Sequence, residues 1–228
     1  MTYKICIEGI DGSGKKTQIG LLKSFLESEG FSVGLADFPC YDSFVGSEIG
    51  QFLNPQSPHN AATMDVKSLC LWYAVDRLMH YRNHTELYSL NDFLLINRYT
   101  LTNMAFQSAR ISDPVKREEI VQWIYNLDHK VFQLPEPDIY IILDIDPKIS
   151  MAWKSRQLHN EVRNYSNEMD VNEIDVRLQV NTAMRYRAFA QSMPNVSLVC
   201  CYDDEGKPYS KEEIFESIVN LIQSKRAI

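Results

Sequence analysis

Basic residues are in the minority in this chain: 23 Lys and Arg stand against 30 Asp and Glu, for a formal net charge of −7. That argues against a general nucleic-acid partner, which needs a basic surface to neutralise phosphates. It leaves room for a local anion site, because backbone N–H groups hold an anion without net positive charge on the protein. No stretch reaches the about 18 consecutive apolar residues that would span a bilayer, so no membrane partner is expected. No basic head precedes a long apolar run at the N-terminus, so no signal peptide is expected. Cysteine is sparse, at five residues without a C-x-x-C spacing. Structural disulfides are not expected, and the pattern suits a reducing cytoplasm. Cys200 and Cys201, adjacent in "SLVCCY", read as part of a buried strand. There is neither an internal repeat nor a low-complexity linker, so one domain over residues 1–228 is the simplest reading.

What is present is 45% hydrophobic residues in 228, enough for a sizeable core. "YKICIE" (Tyr3–Glu8) reads as a strand. A helix begins near Lys15, puts Ile19, Leu22 and Leu26 on one face, and closes at Gly30 as a left-handed cap. "FSVGLA" is a second strand, ending in a loop where Pro39 blocks continuation. Helices are expected at roughly 46–53 and 61–81. "FLLI" (Phe93–Ile96) and "DIYIILDID" have the apolar character of strands buried on both faces. Between them "TNMAFQSARI" and "DPVKREEIVQWIYNL" read as helices, and Pro147 opens another. Residues 156–170 have the polar composition of a mobile flap. A helix from about Val171, the strand "VSLVCC" and the helix "SKEEIFESIVNLIQS" complete the chain. Alternating strands and helices predict an α/β fold with one parallel five-stranded sheet flanked by helices on both faces.

The stretch "GIDGSGKKTQ" lies between the first strand and the first helix. Gly9, Gly14 and Lys15 fit the phosphate-loop pattern G-x-x-x-x-G-K, in which glycines turn backbone N–H groups inward and the helix N-terminus adds partial positive charge. The candidate ATP site is therefore Gly9, Ile10, Asp11, Gly12, Ser13, Gly14, Lys15, Lys16 and Thr17, with Lys15 reaching the β- and γ-phosphates. The pattern asks for a magnesium-binding hydroxyl at position 16, and Lys16 stands there. Thr17 is turned by about 100° around the helix. Elsewhere, Tyr73 and Arg77 are four apart and share a helix face, as do Asn103 and Gln107. Arg98 follows "FLLI" at the carboxyl end of a strand, where open α/β sheets place ligands and where an arginine meets an anion. His80 and His84 have metal-ligand spacing but no third ligand nearby, and read as a surface pair.

Five segments, "IEGIDGSGKKTQ", "DFPCYDSFVGSEIGQFL", "LWYAVDR", "INRYTLTNMAFQ" and "EPDIYIILDIDP", together resemble the thymidylate kinase (dTMP kinase) family of P-loop nucleoside monophosphate kinases. The resemblance covers nearly the whole chain. It implies a P-loop kinase fold, ATP-dependent phosphorylation of dTMP to dTDP, a magnesium requirement (Mg2+) and a homodimer. It assigns catalytic roles to Lys15, Asp11, Arg98 and the flap arginines Arg156 and Arg163, because the loop itself carries Gly12 and Ser13 and no arginine. It assigns dTMP binding to Asp11, Phe38, Pro39, Tyr73, Arg77, Arg98, Asn103 and Gln107, and the metal to Asp11. Three departures stand out. Lys16 replaces the hydroxyl, Asn97 replaces the Asp that precedes the family's arginine, and Cys40 and Tyr41 stand where many relatives have an arginine. Two rivals stay open: a kinase of another nucleoside monophosphate such as dUMP and, motivated by these departures, a non-catalytic nucleotide-binding protein.

Overall fold

The structure, a computed structural model, describes residues 1–157 and 169–226, without the side chains of 154–157. Its centre is an all-parallel sheet in the order β2-β3-β1-β4-β5. The strands are β1 Tyr3–Glu8, β2 Val33–Asp37, β3 Phe93–Asn97, β4 Ile139–Asp144 and β5 Val196–Cys200. In β3, Phe93, Leu94, Leu95 and Ile96 are all 0% exposed. Successive strand residues point to opposite faces, so helices must cover both. Each such side chain contributes about 1.5–3 kcal/mol. The strand β5 is less buried than its apolar run predicts. Among the described residues it pairs only with β4, at the sheet edge, and Leu198 and Cys200 are exposed while Cys201, just beyond it, is buried.

The helices are α1 Lys15–Ser28, α2 Phe44–Leu53, α3 Val66–Asn83, α4 Thr100–Ala109, α5 Pro114–Asn126, α6 Pro147–Gln157, α7 Val171–Ile174, α8 Val176–Ser192 and α9 Lys211–Lys225. Among the described residues, none is long and apolar enough to cross a membrane. The first helix, α1, packs on α9, and α4 packs against α3, α5 and α8. Gly30, at φ +89°, ends α1 as expected, with the Phe31 N–H donating to Leu26 O at 3.1 Å.

Capping side chains move three boundaries away from those read in the sequence. Ser43 accepts from the Gly46 N–H at 2.9 Å and starts α2 at Phe44. Asp65 accepts from the Ser68 N–H at 3.0 Å, so α3 begins at Val66 and the residues from Ala61 form turns. Asp175 accepts from the Leu178 N–H at 2.9 Å and splits the helix expected from Val171 into α7 and α8.

Parallel register brings the carboxyl ends of β1, β2 and β3 side by side, with Asp37 and Ile7 both aligned to Asn97. The chain runs from β1 out to β2, returns to β3, and then crosses to β4 on the other side of β1. Connections diverge at β1, which is where open α/β sheets form a ligand crevice.

Candidate active site

The loop after β1 turns on glycine. Gly9 has φ +139°, and a Cβ there would lie 2.7 Å from Ser13 Oγ and 2.9 Å from Leu143 O. Gly14 caps α1 at φ 86°, in the left-handed region, and among the described residues no side chain caps that helix. The first-turn N–H groups are thus left for an anion. Lys15 is 93% buried and curls over the loop. Its ammonium donates to Gly9 O at 3.2 Å, Ile10 O at 2.7 Å and Ser13 Oγ at 3.4 Å.

Arg98 sits at the carboxyl end of β3 with φ +62°, a region non-glycine residues rarely occupy and which costs about 1–3 kcal/mol. Its N–H donates to Ile7 O at 3.2 Å, and its Nη2 donates to Asp11 Oδ1 at 2.5 Å. Burial works against the Arg98 charge, but Asp11, with Tyr186 and Glu8, outweighs it and holds the ionisation upward. The other Asp11 oxygen accepts from Gln179 Nε2 at 2.8 Å, and the Asp11 N–H donates back to Gln179 Oε1 at 3.2 Å. Gln179 also donates to Asn172 O at 2.9 Å, so α8 ties the phosphate loop to α7. Below the loop, the fully buried Glu8 accepts from the Tyr99 N–H at 2.9 Å, from the Tyr186 hydroxyl at 2.9 Å and from the Thr102 hydroxyl. That network fixes the residue following Arg98.

Loop, Arg98 and the candidate acceptor residues line one cavity of about 650 Å³. Phe38, Pro39, Tyr73, Arg77, Asn103 and Gln107 all lie on its wall. Burial, with Asp170 adding, raises the Tyr73 phenol, which keeps the ring neutral. Phe38 packs edge-on against His80 at 5.0 Å and tilted against Tyr99 at 5.7 Å. The Arg77 guanidinium is buried and held by Asp128, with Nε donating at 2.9 Å and Nη2 at 2.8 Å from the same oxygen. Asn103 Nδ2 donates to Cys70 O at 3.1 Å. Among the described residues, Asn103 Oδ1 and Gln107 Oε1 are buried acceptors without a donor. Unpaired buried oxygens of this kind suit a ligand that brings N–H groups. Cys40 brings no charge to the cavity's edge. Burial, then Asp76 and Asp37, push its thiol up to about 12.

Magnesium takes oxygen ligands. The cavity offers Asp11 and Asp37 beside the loop, and the buried Asn97 Oδ1 accepts no hydrogen bond among the described residues. That donor set fits a hard cation. Among the described residues, no group of three or more His, Cys, Asp or Glu side chains converges on one point, so nucleotide phosphates would supply much of the coordination. Lys16 points to solvent, its ammonium 3.9 Å from Asp37 Oδ2. Thr17 also lines the cavity.

Of the flap arginines, the side chain of Arg156 and the whole of Arg163 lie outside the described residues. Sequence reasoning missed Glu8, Asp37, Asp128, Asp170, Glu173 and Gln179. Asp170 and Glu173 form a reciprocal cap at the start of α7 and line the cavity. Glu8 and Asp37 carried a signal, since each is an acid at the carboxyl end of an apolar strand. His80 is a half-buried residue rather than a surface one. It stacks on His84 at 4.5 Å, and its Nδ1 meets the Tyr88 hydroxyl at 2.9 Å.

The chain is similar to a probable thymidylate kinase of Pyrococcus horikoshii, with 28% identity over 97% of this chain and 96% of that protein. It is 26% identical to the thymidylate kinase of Mycobacterium tuberculosis over 82% of this chain and 85% of that one. Its fold matches the solved thymidylate kinase of Candida albicans at a TM-score of 0.74 and 18% identity, covering 98% of this chain and 92% of the other. The thymidylate kinase family model matches residues 7–189, and the chain belongs to that family.

Proposed function

We propose that this kinase transfers the γ-phosphoryl group of ATP to the phosphate of dTMP, giving dTDP and ADP. The observation that carries the choice of acceptor is the pair of donorless buried oxygens, Asn103 Oδ1 and Gln107 Oε1, on the wall shared with Tyr73 and the phosphate loop. A thymine ring stacked on Tyr73 has one free N–H donor, N3–H, and offers it to one of these acceptors, and Phe38 and Pro39 line the same space. Arg98, held by Asp11, faces the acceptor phosphate. The loop N–H groups and Lys15 hold the ATP phosphates, and the flap arginines Arg156 and Arg163 meet the group in flight. Phosphoryl transfer needs positioning and charge stabilisation and no covalent intermediate. Magnesium, when bound, would be held beside the loop with Asp11 and would neutralise charge on the ATP phosphates.

We further propose one domain with a flap at about 156–170, acting as a homodimer in the cytoplasm. The five cysteines are free among the described residues, which suits a reducing compartment. The test is a coupled ADP-release assay with dTMP, dUMP, dCMP, dGMP and AMP. We expect dTMP to be preferred and dUMP to be slower, since a missing methyl changes discrimination by only about 1–3 kcal/mol. Equal turnover of purine monophosphates rejects the assignment.

A further inference from the structure

We propose that Asp37 and Asn97 together hold the nucleotide's magnesium through its water shell, with the carboxylate on β2 and an amide on β3. The inference rests on the kinase reading above, and it concerns residues that reading leaves without a role. The two are register partners at the carboxyl ends of adjacent strands, and both line the cavity with Gly14, Lys15 and Lys16. Asn97 Nδ2 donates to Asp37 Oδ1 at 2.7 Å. That bond sets the amide's orientation, because the reverse would place two acceptor oxygens against each other. Asn97 Oδ1 is therefore turned away from Asp37, in a residue only 7% exposed, and among the described residues nothing donates to it. A buried acceptor left unpaired calls for a donor from elsewhere.

Magnesium sheds its waters reluctantly and keeps several of them. Metal-bound waters are strong O–H donors, and Asp37 with Asn97 Oδ1 presents acceptors to them. Asp11 is less available for this work, since its oxygens already accept from Arg98 at 2.5 Å and Gln179 at 2.8 Å. Asp37 Oδ1 accepts from Asn97, but its Oδ2 is engaged loosely by comparison. Its partner Lys16 is 3.9 Å away, and both side chains are largely exposed. Exposed ion pairs are weak and open readily, so a divalent cation can take the carboxylate from Lys16. The missing hydroxyl at position 16 is then replaced by contacts to metal-bound water.

The experiment is a titration of Mn2+ into the ADP complex, with free Mn2+ read by electron paramagnetic resonance. The proteins are the wild type, Asp37→Asn and the exchange Asp37→Asn/Asn97→Asp, each checked by thermal melt for folding. ADP affinity without metal serves as the control and should be the same in all three. We expect Asp37→Asn to weaken Mn2+ by about tenfold. The exchange, which returns one carboxylate and one amide on opposite strands, should restore it to within about twofold. Wild-type Mn2+ affinity in Asp37→Asn, or an exchange variant as weak as Asp37→Asn, overturns the proposal. Turnover of dTMP by the wild type is measured separately. Turnover beside an unchanged Mn2+ affinity in Asp37→Asn sinks this inference alone. Absent turnover beside a tenfold Mn2+ loss sinks only the kinase reading.

Discussion

Replacing Gln107 by Leu should move stability and acceptor binding in opposite directions. Gln107 is 1% exposed, and its Oε1 is a buried acceptor without a donor among the described residues. Such an oxygen costs about 1–3 kcal/mol relative to a satisfied one. Leucine fills a similar volume on α4, has comparable helix propensity and carries no polar atom. The free protein should gain roughly 1 kcal/mol, a rise of about 2–4 °C in Tm for a chain of this size. In the dTMP complex the balance reverses. The wild-type oxygen would accept the base N–H, whereas leucine leaves that N–H buried and unpaired. Affinity for dTMP should fall about 10–100-fold, which is about 1.4–2.8 kcal/mol. ATP, held at the phosphate loop, should bind as before.

Thermal melts with and without each nucleotide read both effects at once. A ligand at 100 times its Kd stabilises by about 2.7 kcal/mol, and a 10–100-fold weaker one at the same concentration by about 1.4–0.4 kcal/mol, so the variant should start from a higher Tm and lose at least about half of the dTMP shift. A lower starting Tm with an undiminished dTMP shift refutes the reasoning, and it would make Gln107 a packing residue.

Other changes test other parts of the site. Tyr73→Ala should cost dTMP binding about 1–3 kcal/mol of stacking and leave ATP untouched; calorimetry showing equal losses for both would make Tyr73 a core residue. Arg156→Ala and Arg163→Ala should lower kcat with little change in ATP affinity, the mark of a contact formed mainly in the transition state; wild-type kcat in both rejects the role. Asp128→Ala strands the buried Arg77 guanidinium and should cost about 3–5 kcal/mol in urea denaturation; a loss under 1 kcal/mol means Arg77 finds another partner. Burial, then His84, hold His80 down to about 4, below its unfolded value. Stability linked to His80 is therefore complete above about pH 6.5 and is lost as pH falls toward 4. His80→Gln should flatten the fall, and an identical pH profile removes His80 as its source.

The parts of the fold legible in the sequence were those set by neighbours along the chain. Gly9, Gly14 and Lys15 announce the loop because its geometry needs left-handed backbone within a few residues of the helix start. The run Phe93–Ile96 announces a doubly covered strand because no polar residue interrupts it. Helix starts were misplaced where one capping residue decided them, at Ser43, Asp65 and Asp175. The supports of the site were illegible for a different reason. Gln179 reaches Asp11 across 168 positions, Tyr186 reaches Glu8 across 178, and Asp128 reaches Arg77 across 51. Nothing local distinguishes these polar residues from their solvated neighbours until the sheet sets the distances.

The departures at Lys16 and Asn97 read in the sequence as separate losses, one of a hydroxyl and one of a carboxylate. In the fold they meet on a single group. Asp37 accepts from Asn97 at 2.7 Å and pairs with Lys16 at 3.9 Å. A second carboxylate at position 97 would face Asp37 across that short gap, and like charges so close raise the pKa of one of them. An amide there donates a hydrogen bond to Asp37 where a carboxylate would repel it, and the ammonium of Lys16 lies near its other oxygen. The departure at Cys40 has no such compensation, because its thiol stays protonated and neutral. Of the arginines on the cavity wall among the described residues, Arg77 is committed to the buried Asp128. Arg98 is held at the loop's edge by Asp11 in a left-handed backbone that Glu8 and Ile7 brace. On the proposed reading, the cationic contact to an acceptor phosphate would fall to Arg98, and the strain in its backbone would be the cost of placing it there.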